Sequence, residues 1–160
     1  MELCQYGTRK RYIDADLKAN GYVFDQTAKR NCVEEEYPVT GMPNVTGTGY
    51  ADYVIWGDTG KIIAVIEAKR ASESADKGRN QGKLYADCIQ NMQGSRPVIF
   101  YTNGFETYLW DDVTSAPRVV SGIFPQKDID AMISRRTIVK SVSTIPINED
   151  ITNRLYQLRA

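Results

Sequence analysis

Asp52, Glu67 and Lys69 stand out in the stretch YADYVIWGDTGKIIAVIEAKR, residues 50–70, because the residues around them are suited to a core. Side chains alternate faces along a strand, so Glu67 and Lys69 point the same way and Ala68 the other. Two carboxylates and an ammonium at the end of an apolar run are costly to leave unpaired, and a divalent cation resolves the conflict. Magnesium takes oxygen ligands and keeps several waters, so Asp52, Glu67 and the backbone carbonyl of Ala68 make a half-shell with room for a phosphate oxygen and a water. Lys69 then orients or helps deprotonate the attacking water and offsets phosphate charge, which is the chemistry of phosphodiester hydrolysis.

Composition narrows the field by exclusion. The 160 residues include no histidine, which removes Ser-His-Asp and Cys-His catalysis and His-ligated zinc. Three cysteines, Cys4, Cys32 and Cys88, are too few and too scattered for a disulfide framework or a zinc knuckle, so a cytoplasmic location is expected. No apolar run approaches the roughly 20 residues of a membrane span, and the N-terminus lacks that of a signal peptide. Twenty basic and twenty acidic side chains balance, so a nucleic-acid partner has to be met by a local patch.

The elements around these residues form a simple series. TRKRYIDADLKAN, residues 8–20, predicts a helix with Thr8 as N-cap and Gly21 in a left-handed position beyond its end. NCVEEEYPV, 31–39, predicts a strand, and TGMPNVTGTG a loop. A hairpin follows, with strands at 50–56 and 61–69 around the turn 57–60. Its second strand is apolar almost throughout, as suits a central strand covered on both faces. A turn centred near residues 58 and 59 sets Asp52 opposite Val65, diagonal to Glu67. Residues 74–91 predict a helix with Leu84, Cys88 and Met92 on one face and Gly94 as its stop. RPVIFYTNGFETYLWDD predicts a second hairpin around Asn103-Gly104, RVVSGIF a weaker strand, and residues 126–134 a short helix. The class is α/β or α+β, a mixed central sheet flanked by helices.

A short D…ExK pattern also fits a solvated strand end beside a hairpin rim. Three features favour a site: the strongly apolar strand before Glu67, the hairpin that couples Asp52 to it, and the following helix with Gln81 and Tyr85 one turn apart. Arg79 and Lys83, also one turn apart, fit a DNA-facing stripe or a solvated helix face; Lys69, Arg70 and Lys77 lie nearby in sequence. Tyr101, Phe105, Tyr108 and Trp110 alternate in the second hairpin and are expected to pack across strands.

With YAD in the place of PD, EAK as the ExK element and Gln81-Gly-Lys-Leu-Tyr85 as a QxxxY motif, the sequence resembles the PD-(D/E)xK nuclease superfamily in its RecB-like branch. The run from TGMPNVTGTGYADYVIWGDTGKIIAVIEAKR through PVIFYTNGFETYLWDD is similar to the N-terminal nuclease domain of the motor (R) subunit of type I restriction-modification enzymes. That resemblance implies a restriction-endonuclease-like core over residues 1–134 and, over 135–160, a linker and the start of a truncated helicase-type motor, in which Gln157 of RLYQLRA would read adenine. It implies Asp52 and Glu67 as metal ligands, Lys69 as the catalytic lysine, Gln81 and Tyr85 as supporting or DNA-contacting residues, and an acid from the first helix. Asp14 in RYIDADL is the candidate, with Asp16, Glu34, Glu35 and Glu36 as rivals. Mg²⁺, or Mn²⁺ in its place, is the implied cofactor, and double-stranded DNA and the modification and specificity subunits the implied partners. ATP belongs to the full-length parent, since no GxxxxGK[ST] loop occurs here. A stand-alone or repair RecB-like nuclease, and a degenerate nuclease fold kept as a docking or DNA-binding module, are the alternatives.

Overall fold

The computed structural model describes residues 5–138 of the protein. Seven strands, β1 (Val23–Phe24), β2 (Cys32–Thr40), β3 (Thr48–Trp56), β4 (Ile62–Ala68), β5 (Val98–Thr102), β6 (Thr107–Trp110) and β7 (Arg118–Val120), form one sheet in sequence order. Pairs β1·β2 and β4·β5 are parallel and the other four antiparallel, so the sheet is mixed, as expected. The connection between β4 and β5 contains a 3₁₀ turn (Ala75–Gly78) and helix α3 (Arg79–Gln93), the long crossover that parallel neighbours require. Helices α1 (Gln5–Thr8) and α2 (Asp14–Ala19) flank a π turn (Arg9–Ile13), and α4 (Gln126–Ile138) follows the sheet.

All seven residues of β4 are buried. Its side chains divide between two cores. Ala64, Ile66 and Ala68 join Ile13, Leu17 and Ile129 of the N-terminal helix and α4; Val65 joins Tyr85, Ala86 and Ile89 of α3. Each buried Ile or Val contributes roughly 1.5–3 kcal/mol, and this two-sided cover fixes the strand that carries Glu67.

Several local expectations hold. Gly21 and Gly94 adopt left-handed conformations beyond their helices. The Asn103-Gly104 turn closes with Asn103 Oδ1 accepting from Phe105 N and Glu106 N, at 3.0 and 2.8 Å. Tyr101 and Tyr108 pair across strands with rings stacked at 4.9 Å, whereas Phe105 is exposed and meets Tyr12.

Other details differ. Thr8 is not an N-cap: it lies within the helical backbone, buried, and its hydroxyl accepts from Ala71 N at 3.1 Å. The buried face of α3 is centred on Gly82, Tyr85, Ala86 and Ile89, with Cys88 beside it, while Met92 is exposed. The helix therefore sits rotated from the Leu84/Cys88/Met92 stripe, because the small Gly82 and Ala86 allow the closest approach to the sheet. Helix α4 runs four residues past its expected end, so 135–138 are helical. The two-residue β1 has no signal in the sequence, and the expected strand RVVSGIF shrinks to Arg118–Val120.

The β3·β4 register corrects the sequence-based pairing. Val65 faces Val54, and Tyr53 faces Ile66, with an irregularity between Ile55 and Trp56. One step beyond Tyr53, Asp52 stands across from Glu67 itself rather than diagonal to it. The turn Gly57-Asp58-Thr59-Gly60, with Gly57 N donating to Lys61 O at 2.8 Å, moves the pairing by one position, and the irregularity between Ile55 and Trp56 moves it by one more.

Candidate active site

Glu67 lies at the end of β4 beneath the 3₁₀ turn and α3, only 2% exposed. Gly78 makes that approach possible: a Cβ there would stand 3.1 Å from Glu67 Cγ and 3.2 Å from Tyr101 Cβ. Lys69 Nζ lies on the same side and donates to Glu67 Oε1 at 2.7 Å and to Gln81 Oε1 at 3.0 Å. Gln81 Nε2 donates in turn to the Tyr85 hydroxyl at 2.8 Å. The strand pair Glu67/Lys69 and the helix pair Gln81/Tyr85 thus form one chain of side chains, with Tyr85 buried in the α3 core and Gln81 exposed.

Asp52 enters from the neighbouring strand. Its Oδ2 accepts from the Ala68 backbone N–H at 2.8 Å, which ties the first acid to the residue between Glu67 and Lys69. Burial, then the negative charge of Asp52, push the Glu67 carboxyl up to about 7, against the pull of Lys69. Burial also raises Asp52, eased by the Ala68 N–H, Arg9 and Lys69. Two acids facing one another in a dry site titrate as a pair, and a hydrogen bond between Glu67 and Asp52 adds to the rise of the Glu67 carboxyl. Glu67 Oε2 is buried and receives no hydrogen bond.

That orphaned oxygen, the Asp52 carboxylate and the Ala68 carbonyl are the hard oxygen donors that a divalent cation of the magnesium type takes. Among the described residues no group of three or more His, Cys, Asp or Glu side chains is arranged to hold a metal ion. A cation here would therefore rest on two carboxylates, backbone and water.

The remaining candidates have other partners, and only Glu36, opposite Asp52 on the β2·β3 ladder, adds its charge to that of the site. Asp14 is buried on the side covered by the N-terminal helix, where its Oδ1 accepts from Tyr53 Oη at 2.6 Å and its Oδ2 pairs with Lys10 at 3.1 Å. Asp16 accepts from Ile123 N at 2.7 Å and from Asn20. Glu34 accepts from Trp56 Nε1 at 3.0 Å, Glu35 pairs with Lys10 at 2.7 Å, and Glu36 with Arg9 at 3.1 Å. The Arg79 guanidinium sits 5.0 Å over the Trp110 ring, and Lys83 pairs with Asp87 at 3.1 Å. Gln157 lies outside the described residues.

Sequence reasoning missed Arg9 and Gly78. Arg9 NH1 stands 3.4 Å from Asp52 Oδ1. Its contact with residue 52 spans 43 positions of sequence, and no local spacing rule reports such a pairing. Gly78 falls inside the helix expected over 74–91, whereas it ends the 3₁₀ turn that precedes α3.

A mixed sheet covered by helices on both faces, with an acid–acid–lysine group at the strand end, defines a restriction-endonuclease-like fold. The chain is similar in fold to a solved structure described as a fragment of a candidate HsdR subunit of a type I restriction enzyme from Vibrio vulnificus YJ016, with a TM-score of 0.66 and 21% identity over 94% of this chain. It spans 28% of the length of that chain. The pattern of the family "Type I restriction enzyme R protein N terminus" matches residues 32–118, and the chain belongs to that family. No curated protein matches its sequence.

Proposed function

We propose that the chain is the Mg²⁺-dependent DNA endonuclease domain of a type I restriction enzyme R subunit, hydrolysing phosphodiester bonds without sequence specificity of its own. The observation that carries this reading is the meeting of Asp52, Glu67 and Lys69 at the end of β4, with Glu67 Oε2 buried and without a donor. Asp52, Glu67 and the Ala68 carbonyl would hold Mg²⁺, or Mn²⁺ in its place, which when bound supplies Lewis-acid activation of the phosphate and of the attacking water.

The chain's own groups do the rest. Lys69, fixed between Glu67 Oε1 and Gln81 Oε1, carries a positive charge that meets the scissile phosphate and orients the water. Gln81 gives the ammonium a second acceptor that fixes its direction, and the Tyr85 hydroxyl keeps Gln81 in place. Asp14, Arg79 and Lys83 have protein partners here, so a metal contact of Asp14, or a DNA contact of Arg79 or Lys83, requires them to exchange those partners.

Double-stranded DNA and the modification and specificity subunits are the partners this reading supplies, with target recognition and ATP use outside residues 1–134 and the motor beginning within 135–160. The cytoplasm is the compartment this reading supplies. No helix among the described residues is long and apolar enough to cross a membrane. A second reading, a degenerate nuclease fold kept for docking, is favoured because among the described residues no third acid joins Asp52 and Glu67 in a group arranged to hold a metal ion. Alanine substitution of Asp52, Glu67 or Lys69 in the full restriction complex separates the two: cleavage lost with assembly retained supports the nuclease, and cleavage intact in a folded variant rules it out.

A further inference from the structure

We infer that Arg9 is the positioning residue of the Asp52 carboxylate, an inference that rests on the metal-centre reading above. The Arg9 side chain is 8% exposed, lies 4.8 Å from the centre of the Tyr53 ring, and reaches Asp52 twice. NH1 stands 3.4 Å from Oδ1, and NH2 donates to the main-chain carbonyl at 3.2 Å. One rigid planar fork thus holds both the backbone and the carboxylate of the same residue, a geometry an ammonium cannot reproduce. With Ala68 N–H on Oδ2, the carboxylate is fixed at both oxygens.

The same two nitrogens are anchored to β2 as well, while Nε is buried without a hydrogen-bond partner. NH1 donates to Glu36 Oε1 at 3.1 Å, and NH2 stands 3.7 Å from Glu35 Oε1. Glu36 adopts φ +51, a left-handed conformation uncommon for a residue with a side chain. The ladder runs Glu35↔Tyr53 before it and Tyr37↔Ala51 after it, which puts Glu36 opposite Asp52. Arg9 itself opens the π turn Arg9–Ile13. Single π turns and left-handed non-glycine residues are locally costly and concentrate at functional sites. Here both irregularities end on one contact, the grip on Asp52. The charges pair accordingly: Lys69 serves Glu67 and Arg9 serves Asp52.

The test is calorimetric titration of the full chain with Mn²⁺, with melting temperatures in EDTA alongside, for wild type, Arg9→Lys, Arg9→Met, Leu17→Ala and Glu67→Ala. Partners that orient a metal ligand are typically worth 10- to 100-fold in metal affinity. Arg9→Lys is expected to stay folded and bind Mn²⁺ about 10- to 100-fold more weakly, and it carries the test if Arg9→Met fails to fold. Leu17→Ala, a truncation of a fully buried residue in the same helical segment, is expected to melt earlier with unchanged Mn²⁺ affinity. Arg9→Lys binding as tightly as wild type, or Leu17→Ala weakening binding as much as Arg9→Lys, overturns the role of Arg9 and leaves the metal centre standing. A wild type that binds no Mn²⁺, or Glu67→Ala that binds as well as wild type, overturns both.

Discussion

Asp52 stands across the β3·β4 ladder from Glu67, one step past the Tyr53–Ile66 pair, and accepts the backbone N–H of Ala68 at 2.8 Å. The two carboxyls are held face to face by strand register, with burial and the charge of Asp52 lifting Glu67 to about 7.

In the metal-free protein this pair makes stability fall as pH rises. The ordinary Glu value is 4.5 and the folded value about 7, so the folded state holds the extra proton between them. The contribution is fully present below about pH 4.5 and lost as pH rises through 7. Its size is on the order of 3 kcal/mol at most. Denaturant unfolding in EDTA checks this, and Glu67→Gln is expected to flatten that part of the profile.

Cation binding should displace the same proton. Affinity for Mg²⁺ or Mn²⁺ is expected to climb with pH up to about 7 and level off above it. Calorimetry at pH 6.5 in two buffers of different ionisation enthalpy should return different apparent heats.

Gln81→Ala removes the second acceptor of the Lys69 ammonium and leaves it with Glu67 alone. Cleavage by the assembled complex is expected to drop roughly 10- to 100-fold, with an unchanged melting temperature because Gln81 is exposed. Tyr85→Phe, which breaks only the next link, is expected to have the smaller effect on cleavage and the larger effect on stability.

Gly78→Ala drives a methyl group toward Glu67 Cγ and Tyr101 Cβ. Overpacking of this kind costs about 1–3 kcal/mol, and the displaced carboxylate is expected to lower metal affinity as well. Paired melting and titration measurements distinguish this from Asn103→Ala. That change removes two acceptor contacts in the β5·β6 turn and one bond to Glu73 O, so it should destabilise by a similar amount with metal affinity unchanged.

The sheet was legible wherever local chemistry decides. Ile62–Ala68 is apolar enough to demand cover on both faces, and Asn103-Gly104 closes a hairpin by its own side-chain and backbone preferences. Glu67, Lys69, Gln81 and Tyr85 came together because alternation along one strand and one turn of one helix aim them. The exact partner of Asp52 was not legible, since the irregularity between Ile55 and Trp56 shifts the ladder without a glycine or proline to announce it. Arg9 was hidden for a different reason. Thr8 reads as a helix start, yet the helix begins earlier and relaxes into a π turn, and that turn is stabilised by contacts with β2 and β3 that exist only after folding.

The most direct measurement is a crystal of the protein soaked with Mn²⁺ and examined by anomalous scattering. Expected is one manganese peak within coordinating distance of the Asp52 and Glu67 carboxylates and the Ala68 carbonyl. Manganese absent from that position at saturating concentration, with the Asp52 and Glu67 carboxyls still facing each other, contradicts a shared metal centre.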